Sequence, residues 1–116
     1  GSQRLVRLCG KAAALDLCLS GQPISAERAL AWNLITRMHV PETLVDETRQ
    51  LAQHMANLAP LALRGVLDCV HYGSEAALDV GLDYESQNFG LMFATEDMRL
   101  GTDAFLQRKA AVFKGK

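Results

Sequence analysis

A chain of 116 residues, 49% hydrophobic and 22% charged, has the length to bury a core and too much apolar content to stay disordered. Twelve Lys and Arg against thirteen Asp and Glu leave a formal charge of −1, which gives no footprint of a nucleic-acid or membrane-surface binder. Charged residues interrupt every apolar stretch well short of the roughly 18 residues that a membrane span needs.

The first element is a helix. Leu5, Leu8, Cys9, Ala12, Leu15 and Leu19 recur at steps of three and four, the stripe of an amphipathic helix, and Ser20-Gly21 stops it because Gly closes a helix in the left-handed conformation. After the turn at Gln22-Pro23, Ser25 is placed to cap a short helix, SAERALAW, with Glu27 near its positive end and Asn33 as its left-handed stop. LITRMHV, residues 34 to 40, alternates well enough to predict one short strand. A single strand needs a partner for its backbone groups, so this one must pair outside the residues seen here.

Pro41 suits the first turn of a helix with Leu44, Thr48, Leu51, Met55 and Leu58 on one face. Pro60 opens the next helix, PLALRGVLDCVHYG, with Gly73 as its predicted stop. Ser74 is the predicted cap of a fifth helix whose face carries Leu78, Leu82, Phe89 and Phe93. Thr95-Glu96-Asp97 then reads as a cap with two acids opening a last helix that runs through Phe105 toward Phe113.

Groups that carry chemistry are sparse. Cys9, Cys18 and Cys69 form no CxxC pair and stand at no metal-ligand spacing, so they are read as buried thiols of a reducing compartment. His39, His54 and His71 have no nucleophile placed around them by a motif and fit surface or helix-end positions. The sequence contains no GxGxxG, P-loop, HExxH or EF-hand pattern. Glu96-Asp97 is a carboxylate pair, but a helix start explains both acids. Phe89, Phe93, Phe105 and Phe113 fit either a core, the commoner use of aromatics at that spacing, or a flat binding platform. Arg108, Lys109, Lys114 and Lys116 fit equally a phosphate clamp and a solvated tail.

Four stretches in order resemble the C-terminal part of the crotonase superfamily, the enoyl-CoA hydratases and isomerases. GSQRLVRLCGKAAAL is similar to the family's G-G-(T/S)-Q-R-L-x-R-x-x-G-x-x-x-A, and LSGQPISAERALAWNLITRMHV to its T-G-x-x-I-(S/D)-A-x-x-A-x-x-x-G-L-V-x-x-V. PETLVDETRQLAQHMANLAPLAL resembles the P-x-x-L stretch that ends in P-x-A, and FATEDMRLGTDAFLQRKAAVFKGK the F-A-T-x-D-x-x-E-G-x-x-A-F-x-x-K-R-x-x-x-F ending. Two departures stand out: Asn33 replaces a usual Gly, and Leu100 replaces the usual acid before Gly101.

The resemblance implies a mainly α region, the C-terminal helical trimerisation region of a crotonase-type α/β fold with one short strand near 34–40. Residues 1–40 would end the crotonase core, and residues 41–116 would form the oligomerisation helices. GSQRL would then be native sequence entered midway. The family's oxyanion hole and paired glutamates would lie before Gly1, so no catalytic residue and no metal ligand are assigned here. By the same resemblance, Phe89, Phe93, Arg108 and Lys109 match positions that reach the adenine and phosphates of coenzyme A on an adjacent subunit. No cofactor is implied beyond the coenzyme A thioester as substrate. The implied partners are acyl-CoA and further copies of the chain in a trimer or hexamer, with no nucleic acid and no membrane, in the cytoplasm or the mitochondrial matrix. The other function class is a non-catalytic helical oligomerisation module.

Overall fold

The computed structural model describes residues 1–116. The elements are all helical: α1 (Ser2–Ser20), α2 (Ala26–Ala31), α3 (Pro41–Ala56), α4 (Pro60–Gly73), α5 (Leu78–Met92) and α6 (Glu96–Leu106). They divide into two compact units, Gly1–Arg49 and Gln50–Lys116, with the boundary inside α3. No helix is long and apolar enough to cross a membrane.

In the first unit, α1 follows the predicted stripe but breaks at Gly10, whose φ of 78° and ψ of 168° lie outside the helical region. Gly21 closes α1 with φ 62°, its N–H donating to the Leu17 carbonyl at 3.2 Å. Helix α2 is capped as its sequence predicts, the Ser25 hydroxyl accepting the Arg28 N–H at 3.3 Å. The Arg28 guanidinium lies 4.3 Å from the centre of the Trp32 ring and reaches the Asp16 carboxylate at 3.4 Å, which ties α2 to α1. Asn33 takes the expected left-handed conformation at φ 60°.

Residues 34–40 do not form the predicted strand. Alternation fixes which side chains share a face, but a ladder needs a second strand, and this chain has none to offer. The segment passes through a bend into an irregular stretch before Pro41 starts α3.

The second unit is organised by α4 and α5, which pack against each other as a hairpin. Its turn departs from the sequence expectation at Gly73 and Ser74. Gly73 is the last helical residue of α4 and stays right-handed; its use is close packing, since a Cβ built on Gly81 would stand 3.4 Å from its Cα. Ser74 caps nothing on α5, which begins at Leu78 after Ala77. Its hydroxyl instead donates back to the His71 carbonyl at 3.1 Å.

Helix α6 is capped by Thr95, whose hydroxyl accepts the Met98 N–H at 3.1 Å and donates to the Met92 carbonyl at 2.7 Å. It ends at Leu106 rather than continuing toward Phe113. Arg108 turns the chain at φ 53°, and residues 110–116 return along α6 to its first turn.

Only Ala14, Gly65 and Asp97 are buried. The length suffices for a core, yet the apolar stripes of α3, α4 and α5 remain largely exposed. The cysteines are not buried thiols either: Cys18 is exposed, and Cys9 and Cys69 are partly exposed. His54 and His71 are exposed, in the final turns of α3 and α4, and His39 is partly exposed.

Candidate functional site

The hairpin of α4 and α5 is held close where small residues let the helices approach. Gly65 faces Asn88, whose side-chain amide donates to the Gly65 carbonyl at 3.4 Å. A Cβ on Gly65 would stand 2.7 Å from the Asn88 Oδ1, so only Gly leaves that amide in place. Beside this contact lies a cavity of about 370 Å³ lined by Ala62, Val66, Cys69, Glu85, Phe89 and Met92. Its walls are mostly apolar, with the Glu85 carboxylate and the Asn88 amide as polar groups.

Phe89 and Phe93 stand one helical turn apart and meet edge to face, ring centres 5.1 Å apart and planes at 80°. Neither belongs to a core: Phe89 is 65% and Phe93 53% exposed. Phe105 is more exposed still, and Phe113 packs against Gly101. The four phenylalanines therefore form neither the predicted core nor a single platform. One pair forms between Phe89 on α5 and Phe93 at its C-terminal end, and the other two are separate.

Further along α4 and α5, Tyr72 and Tyr84 meet edge to face at 5.8 Å. Partial burial pushes the Tyr84 hydroxyl above its usual range, and the nearby Asp68 carboxylate adds to the shift. Arg64 opposes it while pairing with Asp68 at 3.0 Å.

The basic residues follow α6. Arg108 and Lys109 are consecutive and exposed at the corner after α6, where the Lys109 ammonium donates to the Gln107 side chain at 3.1 Å. Lys114 pairs with Glu96, and this partner holds its ammonium above the usual lysine range. Among the predicted site residues, the fold thus brings Phe89 to Phe93 and Arg108 to Lys109, and it shows no contact between the two pairs.

Several residues at these places escaped the sequence reading. Cys69, Glu85 and Asn88 line the cavity without belonging to any motif, because their meeting depends on which faces of α4 and α5 pack. Asp97 is read from sequence as a helix-opening acid, yet it is 2% exposed and accepts the Lys114 and Gly115 amides at 2.6 and 2.8 Å. No group of three or more His, Cys, Asp or Glu side chains is arranged to hold a metal ion.

Comparison with known proteins agrees with the sequence resemblance over the whole chain. The chain is 39% identical over 116 residues to the 2,3-dehydroadipyl-CoA hydratase of Escherichia coli, covering all of this chain and 46% of that enzyme. It is 38% identical over 105 residues to a short-chain-enoyl-CoA hydratase of Clostridioides difficile, covering 90% of this chain and 68% of the relative. The crystal structure of an enoyl-CoA hydratase from Bacillus anthracis superposes with a TM-score of 0.96 at 29% identity, over 99% of this chain and 45% of that one. The chain spans about half the length of most of the relatives it matches. Since the sequence pattern of the family matches residues 1–116 without a gap in coverage, the chain belongs to the enoyl-CoA hydratase/isomerase family.

Proposed function

We propose that this chain is the C-terminal portion of an enoyl-CoA hydratase-like protein that acts on acyl-CoA thioesters through enolate stabilisation in an oxyanion hole. In this reading the residues seen here supply assembly surfaces and part of the coenzyme A site rather than the groups that do the chemistry. Phe89 and Phe93 would hold the adenine, and Arg108 and Lys109 the phosphates, of a coenzyme bound mainly by a neighbouring copy. The observation that carries it is the exposed Phe89–Phe93 pair, of which Phe89 lines a largely apolar cavity. Covering an exposed aromatic ring is favourable, and a stacked base is worth about 1–3 kcal/mol in nucleic-acid binders. Basic side chains at an exposed corner add charge-assisted bonds to phosphate.

The full-length protein should hydrate crotonyl-CoA, followed by loss of the absorbance of the conjugated thioester. No turnover with any of several acyl-CoAs would overturn the enzymatic reading. Phe89→Ala should weaken coenzyme A binding by about tenfold, the loss of roughly 1.4 kcal/mol. Unchanged affinity would remove Phe89 from the site.

The second reading, a non-catalytic helical oligomerisation module, is favoured by surface area. Two separate compact bodies of the sizes of the two units would expose about 7,500 Å² together. The chain exposes 9394 Å². The excess is of the order that obligate interfaces cover, and much of the exposed surface is apolar, including Leu78, Leu82 and Phe89 on α5 and Phe93 just after it. Sedimentation that shows a single-chain mass at high concentration would rule this reading out.

A further inference from the structure

We propose that Asp97 is the positioning residue for the Arg108–Lys109 corner, fastening the chain after α6 so that the corner keeps the conformation that presents its two cations. The inference rests on the coenzyme-site reading above and adds a residue to it.

The corner after α6 is strained. Arg108 stands at φ 53°, a left-handed conformation that helix ends normally give to Gly. The corner makes its own bonds, Arg108 N–H to the Phe105 carbonyl at 3.1 Å and Lys109 N–H to that of Ala104 at 2.9 Å. A side chain other than Gly is held in such a conformation only where the surroundings fix it from more than one side. The second side is the return of the chain to the start of α6.

That return is fastened mainly by one side chain. Both carboxylate oxygens of Asp97 are occupied, Oδ1 by the Lys114 N–H at 2.6 Å and Oδ2 by the Gly115 N–H at 2.8 Å. The Asp97 backbone N–H in turn donates to the Lys116 carbonyl at 3.1 Å. Nearby contacts support the latch: the Phe113 ring lies against Gly101, Gly115 lies against Pro60, and the Lys114 ammonium pairs with Glu96. Residues 107–112 are thereby fixed at both ends.

Asp97 is not needed where its sequence position suggests. A helix start calls for a cap, and Thr95 already provides it by accepting the Met98 N–H. A carboxylate that is 2% exposed is costly to bury, and here its compensation comes from amides seventeen and eighteen residues away. The arrangement therefore serves the tail. Meanwhile the Arg108 guanidinium is exposed and belongs to none of the ion pairs of the chain, so it is open to an anion.

The test uses the full-length protein, with binding of coenzyme A and of pantetheine, which lacks the nucleotide phosphates, measured by calorimetry. Asp97→Ala should weaken coenzyme A by about tenfold, leave pantetheine unchanged, and speed hydrogen exchange at Lys114 and Gly115. Asp97→Asn keeps one acceptor and should fall between; it decides the matter if Asp97→Ala does not fold. Faster exchange with unchanged coenzyme A affinity overturns the proposal, as does an equal loss for both ligands, which would mark a merely structural role. An Arg108→Ala/Lys109→Ala protein separates the two ideas. If it loses coenzyme A affinity while the Asp97 variants do not, only the positioning role fails. If it too binds coenzyme A normally, the coenzyme-site reading fails and this proposal falls with it.

Discussion

At Gly10 the backbone has φ 78° and ψ 168°, and nothing lies within 4 Å of where a Cβ would stand. The need for glycine there is conformational rather than steric, so Gly10→Ala should lower stability by about 1–3 kcal/mol in urea denaturation. An unchanged midpoint would mean that α1 runs straight through this position. Lys114 gives a test of sign. Its pKa is raised by Glu96, so the pair stabilises the fold at pH below the usual lysine value and loses that contribution as pH rises through the raised one. The stability difference between the natural protein and Lys114→Met should therefore shrink only as pH rises past the usual lysine pKa of about 10.4. Both partners are about half exposed, so the effect is small and falls with salt. Single residues were legible in the sequence where they act on their own turn, as Gly21, Ser25, Asn33 and Thr95 do. Asp97 was not, because its partners lie at the other end of a chain reversal set by Arg108.

Among the elements, the helix starts offer the cleanest comparison. Thr95 both accepts from Met98 and donates to Met92, whereas Ser25 makes one longer bond at 3.3 Å. Thr95→Ala should cost about 1–2 kcal/mol and Ser25→Ala about 0.5–1 kcal/mol by chemical denaturation. Equal losses would show that the second bond of Thr95 adds nothing. Glu27 is held below the usual carboxylate range by a backbone amide and by Ser25. Its contribution is present above the ordinary glutamate pKa and fades as pH falls through the lowered one, an effect that Glu27→Gln should abolish. Helices were legible because their bonds close within four residues, so periodicity, proline and glycine mark both ends. Residues 34–40 show the contrary case. Their alternation is genuine, but strand formation depends on a neighbour that no local pattern supplies. The close approach of Gly73 to Gly81 is likewise invisible until α4 and α5 pack, and Gly73 reads from sequence only as a stop.

For the molecule as a whole, the sparse interior sets the expectation. With only Ala14, Gly65 and Asp97 buried, the apolar stripes that the sequence lays down face water, and Leu78 on α5 is 77% exposed. A Leu78→Glu/Leu82→Glu protein should sediment at a lower mass than the natural one if these residues join copies, since two charges on a covered face oppose association. Identical sedimentation of the two would place the contact elsewhere. By itself the sequence determined the helices, most of their ends, and membership of the enoyl-CoA hydratase/isomerase family, because helical periodicity and ordered motifs are written in neighbouring residues. Only the tertiary structure decided that the predicted strand is unformed, that the phenylalanines are not a core, and that Asp97 fastens the returning tail. Those outcomes depend on which surfaces find partners, and contacts between residues far apart in the chain leave no periodic trace along it.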